Sequence, residues 1–214
     1  MVLLNGILYK QDKEYIMSYL VQTDIILDVD PTTLVGNTVV AYSTWADTST
    51  GLRKRRNSSN TAWIVIDVLF GKPLFRAHLS ADQTTTLNAY TELNIDTIEF
   101  DNYLWFNTTT HRWVPQIAGY YHFEAAIRSS TGQPIRSVAS IQRNGSLTVG
   151  NILGSDTAIN ATTYGISVSS IASGIMYMNG STDYVSLFGY LSGSGVVSSS
   201  SGTTWLSGNL IQAG

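Results

Sequence analysis

The two side chains best placed for acid–base chemistry are His122 and Glu124, two positions apart in the stretch AGYYHFEA. Because side chains alternate across a strand, both would project from one face, where a histidine can act as a base and a carboxylate can orient it. No serine lies in a nucleophile-elbow pattern, and the three histidines, His78, His111 and His122, lack metal-ligand spacing. We therefore interpret the pair as interfacial or solvated, and predict a non-enzymatic protein with no catalytic residue and no cofactor.

Six acidic residues could hold a cation or cleave a glycoside. They form two groups, Asp24, Asp28 and Asp30 near the N-terminus, and Asp96, Glu99 and Asp101 in the middle of the chain. The first group is rich in carboxylate oxygens, but its spacing does not match the twelve-residue calcium loop, and a solvated strand edge is the alternative. The second could supply paired carboxylates for glycoside hydrolysis, or ordinary edge positions of a strand. We predict no metal site and no hydrolase.

Composition points to an all-β protein with an uncharged polar surface. Charged residues make up only 13% of the 214 residues, so Ser, Thr, Asn and Gly must supply most of the surface, as is typical of adhesive and virion proteins. The formal net charge is −3, and the basic run RKRR at 53–56 would point to both faces of a strand, so we predict no nucleic-acid partner. Cysteine is absent, which excludes disulfides and cysteine-ligated metals.

The N-terminal residues MVLLNGILYK lack basic residues ahead of their apolar run, so we expect no signal peptide and synthesis in a cytoplasm. No apolar run approaches the roughly 20 residues that span a bilayer. Residues 9–20 carry a narrow apolar stripe of helical period, which predicts one short helix. A strand over 23–30 and a three-stranded meander that includes 38–45 and 61–68 follow it.

Beyond Gly71-Lys72-Pro73, short strands and turns alternate without a convincing helix, which predicts a sandwich or jelly roll. The same tripeptide predicts a boundary between an N-terminal module, 1–71, and a head, 72–214. Asn144-Gly145 and Asn179-Gly180 predict two hairpins. The Gly/Ser-rich residues 192–204 predict a long mobile loop before the last strand.

The residues from about 75 to 211 resemble the jelly-roll head of the tumour-necrosis-factor superfamily, in the form of the globular head of complement component one, q subcomponent. Four segments carry the resemblance in the family's order: FRAHLSA, IEFDN followed by FNTTTHRW, AGYYHF, and WLSGNLI. The RNG at 143–145 also falls where the family has Lys-Asn-Gly. AGYYHF has Ala118 where the family has proline, and WLSGNLI has Trp205 and Asn209 in place of the family's residues. The resemblance implies an antiparallel jelly-roll sandwich that assembles as a homotrimer.

The N-terminal third departs from that family, since it has no collagen repeat. The segment WADTSTG at 45–51 and the later TAW at 61–63 resemble a small β module of bacteriophage tail fibres. Together the two resemblances imply a phage tail receptor-binding protein, located in the virion, that binds a host surface glycan or outer-membrane protein. Its N-terminal module would attach to other tail proteins. A structural baseplate or decoration protein is the first alternative, and a polysaccharide depolymerase is the second.

Strand alternation, the Gly/Ser-rich loop and the jelly-roll resemblance together assign roles to individual residues. In DYVSLFGYL, Val185, Leu187 and Leu191 form one face and Tyr184, Phe188 and Tyr190 form a second, which predicts a strand buried on both sides, either at a trimer interface or at the centre of a monomeric sandwich. The side chains expected at the trimer interface are Tyr120, His122, Glu124, Tyr184, Phe188 and Tyr190. Those expected in the core are Tyr121, Phe123, Trp113 and Trp205, and those expected in a receptor-contacting loop are Ser194, Val196, Val197 and Ser199.

Overall fold

A computed structural model describes residues 25–34, 39–48, 51–68, 71–129, 136–158, 167–193, 195–199 and 202–214. The helix predicted over 9–20 lies outside these residues, as do Asp24 and Ser194. The described chain is all-β, and its one helical element is the 3₁₀ turn Pro31–Thr33. Within these ranges no helix has the length and hydropathy needed to cross a membrane.

The N-terminal module is a four-stranded sheet. Its strands, in spatial order, are β1 Ile25–Leu27, β2 Thr44–Asp47, β3 Leu52–Arg56 and β4 Trp63–Val68. Strands β2 to β4 form the predicted antiparallel meander, and β1, within the strand predicted over 23–30, pairs parallel to β2 as a fourth strand. The indole nitrogen of Trp45 donates to the carbonyl of Leu27 at 3.0 Å, which fastens β1 to the sheet.

The head contains thirteen strands among the residues described. They are β5 Leu74–His78, β6 Gln83–Thr84, β7 Thr91–Glu92, β8 Thr97–Asp101, β9 Phe106–Asn107, β10 Arg112–Trp113, β11 Gly119–Arg128, β12 Arg136–Arg143, β13 Ile152–Ala158, β14 Ser169–Met178, β15 Val185–Ser192, β16 Val196–Val197 and β17 Trp205–Ala213. Five form one sheet in the order β14-β11-β17-β5-β8. A second sheet has the order β13-β12-β15-β10-β9, with β7 paired to β15, and β16 pairs with β6.

The two large sheets face each other across one hydrophobic core. Trp113 lies at its centre, with its ring centroid 4.6 Å from that of Phe75, 5.3 Å from Tyr121 and 6.0 Å from Phe123. All four side chains are buried. Strand β11 alternates as its sequence predicts, with Tyr121 and Phe123 inside and Tyr120 outside, because a half-buried strand must place every second side chain in the core.

One of the two predicted Asn-Gly hairpins forms, and the other is wrong. Asn144 and Gly145 take positive φ values of 56° and 64°, and β12 and β13 on either side of them pair antiparallel, although β13 begins at Ile152 and not directly after the turn. Asn179-Gly180 turns the chain from β14 in one sheet to β15 in the other, so the flanking strands do not pair. A turn signal fixes a local change of direction, whereas strand pairing depends on the whole sandwich.

Candidate assembly surface

The outer face of the five-stranded sheet, which we call the assembly face, exposes an unusual number of large apolar side chains. Their exposed fractions run from 58% for Ile175 to 38% for Ile211. The others are Leu74, Phe100, Tyr120, Ile171 and Tyr177. Single exposed apolar residues are normal, but a group on one sheet face marks a surface that another molecule covers.

Strand register arranges these side chains in rows across the sheet. One row places Ile175 beside His122, which lies opposite Asn209, which in turn lies opposite Leu74. A neighbouring row begins with Tyr177 and Tyr120, whose ring centroids are 5.4 Å apart in an edge-on arrangement. On this face, apolar side chains therefore lie towards both edges of the sheet, and polar side chains lie between them.

The polar centre of the assembly face holds the pair predicted from sequence. His122 Nε2 is hydrogen-bonded to Ser173 Oγ on the neighbouring strand at 3.0 Å, and no hydrogen bond joins the imidazole to Glu124. Glu124 lies directly opposite Ser173 and Ser207 in register. The arrangement offers hydrogen-bonding groups to a covering molecule. It does not form the base-and-orienter pair that catalysis would need.

Trp205 was predicted in the core, and this prediction is wrong. It is half-buried on the assembly face, and the neighbouring Leu206 takes the inward position, with no exposure. The guanidinium of Arg76 lies over the Trp205 ring at 4.3 Å and pairs with Glu99 at 3.0 Å. His78 Nδ1 lies 3.3 Å from the same carboxylate. A tryptophan that stacks under an arginine can remain partly exposed at low cost.

The other three core candidates, Trp113, Tyr121 and Phe123, lie in the core without solvent exposure. The Tyr121 hydroxyl donates to the carbonyl of Ile117 at 2.7 Å, and burial raises the pKa of Tyr121. The indole N–H of Trp113 has no hydrogen-bond partner in the described part of the chain.

The six interface candidates do not share one surface. Tyr120, His122 and Glu124 lie on the assembly face, whereas Tyr184, Phe188 and Tyr190 follow the outer face of the opposite sheet. The sequence showed that the second group faces away from Val185, Leu187 and Leu191, but it did not show which sheet contains β15. All three aromatic side chains are partly exposed, so the predicted burial of this strand on both sides is incomplete.

The described receptor-loop candidates, Val196, Val197 and Ser199, make defined contacts with the rest of the head. Val196 and Val197 pair with β6, and Val197 is fully buried, so it cannot contact a receptor. The Ser199 amide donates to Asp82 at 2.6 Å. This hydrogen bond lowers the pKa of the Asp82 carboxyl. The Gly/Ser-rich composition gave no sign that Val197 packs in the core of the sandwich.

The acidic groups serve local structure. Asp30 caps the 3₁₀ turn through Thr32 and accepts a hydrogen bond from the Trp63 indole at 2.9 Å. Asp96 accepts from the amide and hydroxyl of Ser80, and Asp101 accepts from the Phe106 amide at 2.6 Å. Among the described residues no cluster of His, Asp and Glu could hold a metal ion.

The basic run on β3 divides between the two faces of its sheet. Lys54 pairs with Asp47 at 2.7 Å and lies over the Trp45 ring, and Arg56 lies over the Trp63 ring. Lys54 and Arg56 therefore make their contacts inside the N-terminal module, and the run does not form a continuous basic patch.

Sequence reasoning missed the contribution of β14 to the assembly face. Its outward side chains include Ile171, Ile175 and Tyr177, which alternate with the buried Ala172, Met176 and Met178. That period of two is visible in SSIASGIMYM. Apolar residues at both odd and even positions are typical of a strand that is covered on both faces.

No protein-family model matches the chain, and no curated protein matches it. Among solved structures, the globular domain of zebrafish complement 1qA protein is 13% identical and covers 67% of this chain and 100% of that domain, with a TM-score of 0.50. Murine APRIL at pH 5.0 is 10% identical and covers 66% of this chain and 100% of its own, with a TM-score of 0.51. The predicted fold is thus confirmed, and this chain contains an antiparallel jelly-roll domain of the kind seen in the complement 1qA globular domain and in APRIL.

Proposed function

We propose that this chain is a non-enzymatic, homotrimeric receptor-binding protein of a bacteriophage tail. In this proposal the jelly-roll head, 72–214, binds a glycan or outer-membrane protein on the host surface. The N-terminal module, 1–71, attaches the head to other tail proteins in the virion.

The observation that carries the proposal is the apolar assembly face. Covering a half-exposed Ile or Tyr side chain contributes roughly 1 kcal/mol, so seven such groups favour association clearly. A threefold interface is heterologous, so the assembly face of one subunit contacts a different surface of its neighbour and the ring closes. The jelly-roll heads that the sequence resembles are trimeric, which supports this symmetry.

The strand pairing of the N-terminal sheet supports an attachment role. Its described strands pair only with one another, and β4 ends at Val68, before the head begins with β5 at Leu74. The tail-fibre-like motif WADTSTG begins in β2, where Trp45 and Ala46 are buried.

The receptor-binding role is tested by labelling bacteria with fluorescent protein and measuring binding by flow cytometry. We expect saturable labelling of particular strains, and we expect unlabelled protein to block phage adsorption to those strains. Ile175→Arg, which places a charge on the assembly face, is expected to weaken labelling by removing trimer avidity. If saturating protein labels no strain in a broad panel and leaves adsorption unchanged, the receptor-binding role is wrong and a structural virion role replaces it.

A further inference from the structure

The outer face of the six-stranded sheet buries polar side chains that point away from the core. On β12 and β15 the inward positions are Ile141 and Leu187, which are paired in register and fully buried. Their neighbours Gln142 and Ser186 therefore face outward, as does Ser140, yet none of the three is more than 1% exposed. Burial of three polar groups on the solvent side of a sheet requires hydrogen-bond partners.

Those partners are incomplete. Gln142 Nε2 donates to Ser140 Oγ at 3.1 Å, but Ser186 Oγ meets no hydrogen-bond partner within the described chain. An unsatisfied buried hydroxyl costs about 1–3 kcal/mol. Because Ser186 is fully buried, a ligand on this face meets the side chains around the hydroxyl and not the hydroxyl itself.

Aromatic rings cover the polar patch. Tyr184 and Phe188 flank Ser186 along β15 and converge on Gly145, where an added Cβ would lie 3.4 Å from the Tyr184 hydroxyl and 4.0 Å from Phe188 Cζ. Farther along the strand, Tyr190 packs against Tyr90 with ring centroids 5.5 Å apart. We call Tyr184, Phe188, Tyr190 and Tyr90 the aromatic band. Its rings are partly exposed and offer flat apolar surfaces to solvent.

An ion pair accompanies each end of the aromatic band. Arg112 lies 4.1 Å from the centroid of the Tyr184 ring and pairs with Glu92 at 3.3 Å. At the other end, Arg136 lies 5.1 Å from the Tyr190 centroid and pairs with Asp156 at 2.6 Å. Each pair offers hydrogen-bond donors beside acceptors, with no net charge, which suits neighbouring hydroxyl groups.

We propose that the aromatic band binds an extended, uncharged saccharide, with sugar rings on the tyrosines and hydroxyls on the two ion pairs. The inference rests on the proposed receptor-binding function and names its site and ligand class. Tyr190 lies six positions after Tyr184 along extended chain, a span of about 20 Å, so the site fits an oligosaccharide chain better than one sugar. Because each arginine is paired with a carboxylate, the site has no net charge. Charge therefore gives no preference for an acidic saccharide over a neutral one.

The aromatic band is separate from the assembly face. It lies on the opposite sheet, with the hydrophobic core between them. The assembly face therefore does not include these aromatic side chains. Tyr184, Phe188 and Tyr190, predicted from sequence at the trimer interface, are thus reassigned to ligand binding.

The test measures binding of the full chain to an array of neutral and acidic oligosaccharides and to bacteria that it labels. We expect wild type to bind neutral chains, and Tyr184→Ala or Tyr190→Ala to weaken binding about tenfold by removing a stacking surface. Tyr42→Ala, at an exposed aromatic of the N-terminal module, is the matched control and should leave binding unchanged. Circular dichroism and solution mass should be the same for all four proteins.

The outcomes separate the inference from the function on which it rests. If the protein still labels cells after periodate treatment, and both tyrosine variants label them as well, the saccharide site is wrong. Receptor binding then stands, and the receptor is a protein. Binding to acidic chains alone also overturns it. Neutral-saccharide binding through these tyrosines without any cell labelling supports the site and overturns the phage-receptor role. Failure of both assays overturns both.

Discussion

Replacing Gly208 by alanine tests the close packing of the last strand against the centre of the head. A Cβ atom at this position would lie 2.5 Å from Phe123 Cδ1 and 2.9 Å from Phe75 Cε1. Carbon atoms at their optimal separation lie about 3.5–4.0 Å apart, so one ring or strand must move by about 1 Å. Both rings are buried and contact Trp113, so they have no free space into which to move.

The expected cost follows from two opposing contributions. Overpacking a tight core typically costs about 1–3 kcal/mol, and more where rigid rings must shift. Loss of backbone freedom in the unfolded chain returns about 0.4–1 kcal/mol. We expect Gly208→Ala to lower the free energy of unfolding by about 2 kcal/mol, and the midpoint temperature by roughly 4–8 °C for a chain of this size.

Gly154→Ala is the matched control for this measurement. Gly154 also lies in a strand, but an added Cβ there would meet only the Ala139 carbonyl, at an ordinary 3.8 Å. Thermal unfolding followed by circular dichroism, at one protein concentration, should show the control within about 0.5 kcal/mol of wild type. If Gly208→Ala melts together with the control, the ring packing described for the core is wrong.

Two further predictions concern buried and acidic groups. Trp113→Phe removes an indole N–H that has no partner in the described chain, so urea unfolding should show a loss of about 1–2 kcal/mol, against about 3–5 kcal/mol for Trp113→Ala. Equal losses for the two variants would contradict this. Burial alone would raise the pKa of Asp96, but hydrogen bonds from Ser80 outweigh burial and lower it. The ionised carboxylate therefore stabilises the fold at neutral pH, and this stability is lost as the pH falls from the unfolded value of about 3.9 through the lower folded value. Asp96→Asn should melt below wild type at pH 7 and show a smaller fall in midpoint temperature between pH 5 and pH 2, whereas an unchanged pH profile would exclude this role.

Period-two patterning made the central strand predictable. The alternation after Gly119 separates Tyr121 and Phe123 from Tyr120 and His122, and the structure follows it because each pleat must place one side chain in the core. The glycine of the SGN segment in β17 also indicates close packing, because no side chain fits between Phe75 and Phe123 at Gly208.

Pairing between distant segments could not be predicted in the same way. The parallel β1–β2 pair, the separation of β14 from β15 and the burial of Val197 each depend on strands far apart in sequence. Local composition suggested a hairpin at Asn179 and a free loop at 192–204, and the packing of the whole sandwich overrode both.

The candidate surfaces were predictable only in part. Sequence alternation correctly grouped Tyr184, Phe188 and Tyr190 on one side of a strand, but which sheet contains the strand decides whether they face a subunit or solvent. Trp205 shows the same limit in another form, because the stacking of Arg76 over its ring depends on a cross-strand register that the sequence does not encode locally.

Light scattering of the purified chain tests the central claim most directly. Three subunits of 23.3 kDa give about 70 kDa, and we expect this mass at micromolar concentration. Ile175→Arg places a charge on the assembly face and should reduce the mass to that of one subunit, while Leu147→Arg, equally exposed on a loop outside that face, should leave it unchanged. A wild-type mass of 23.3 kDa would contradict the trimer and the role assigned to the assembly face.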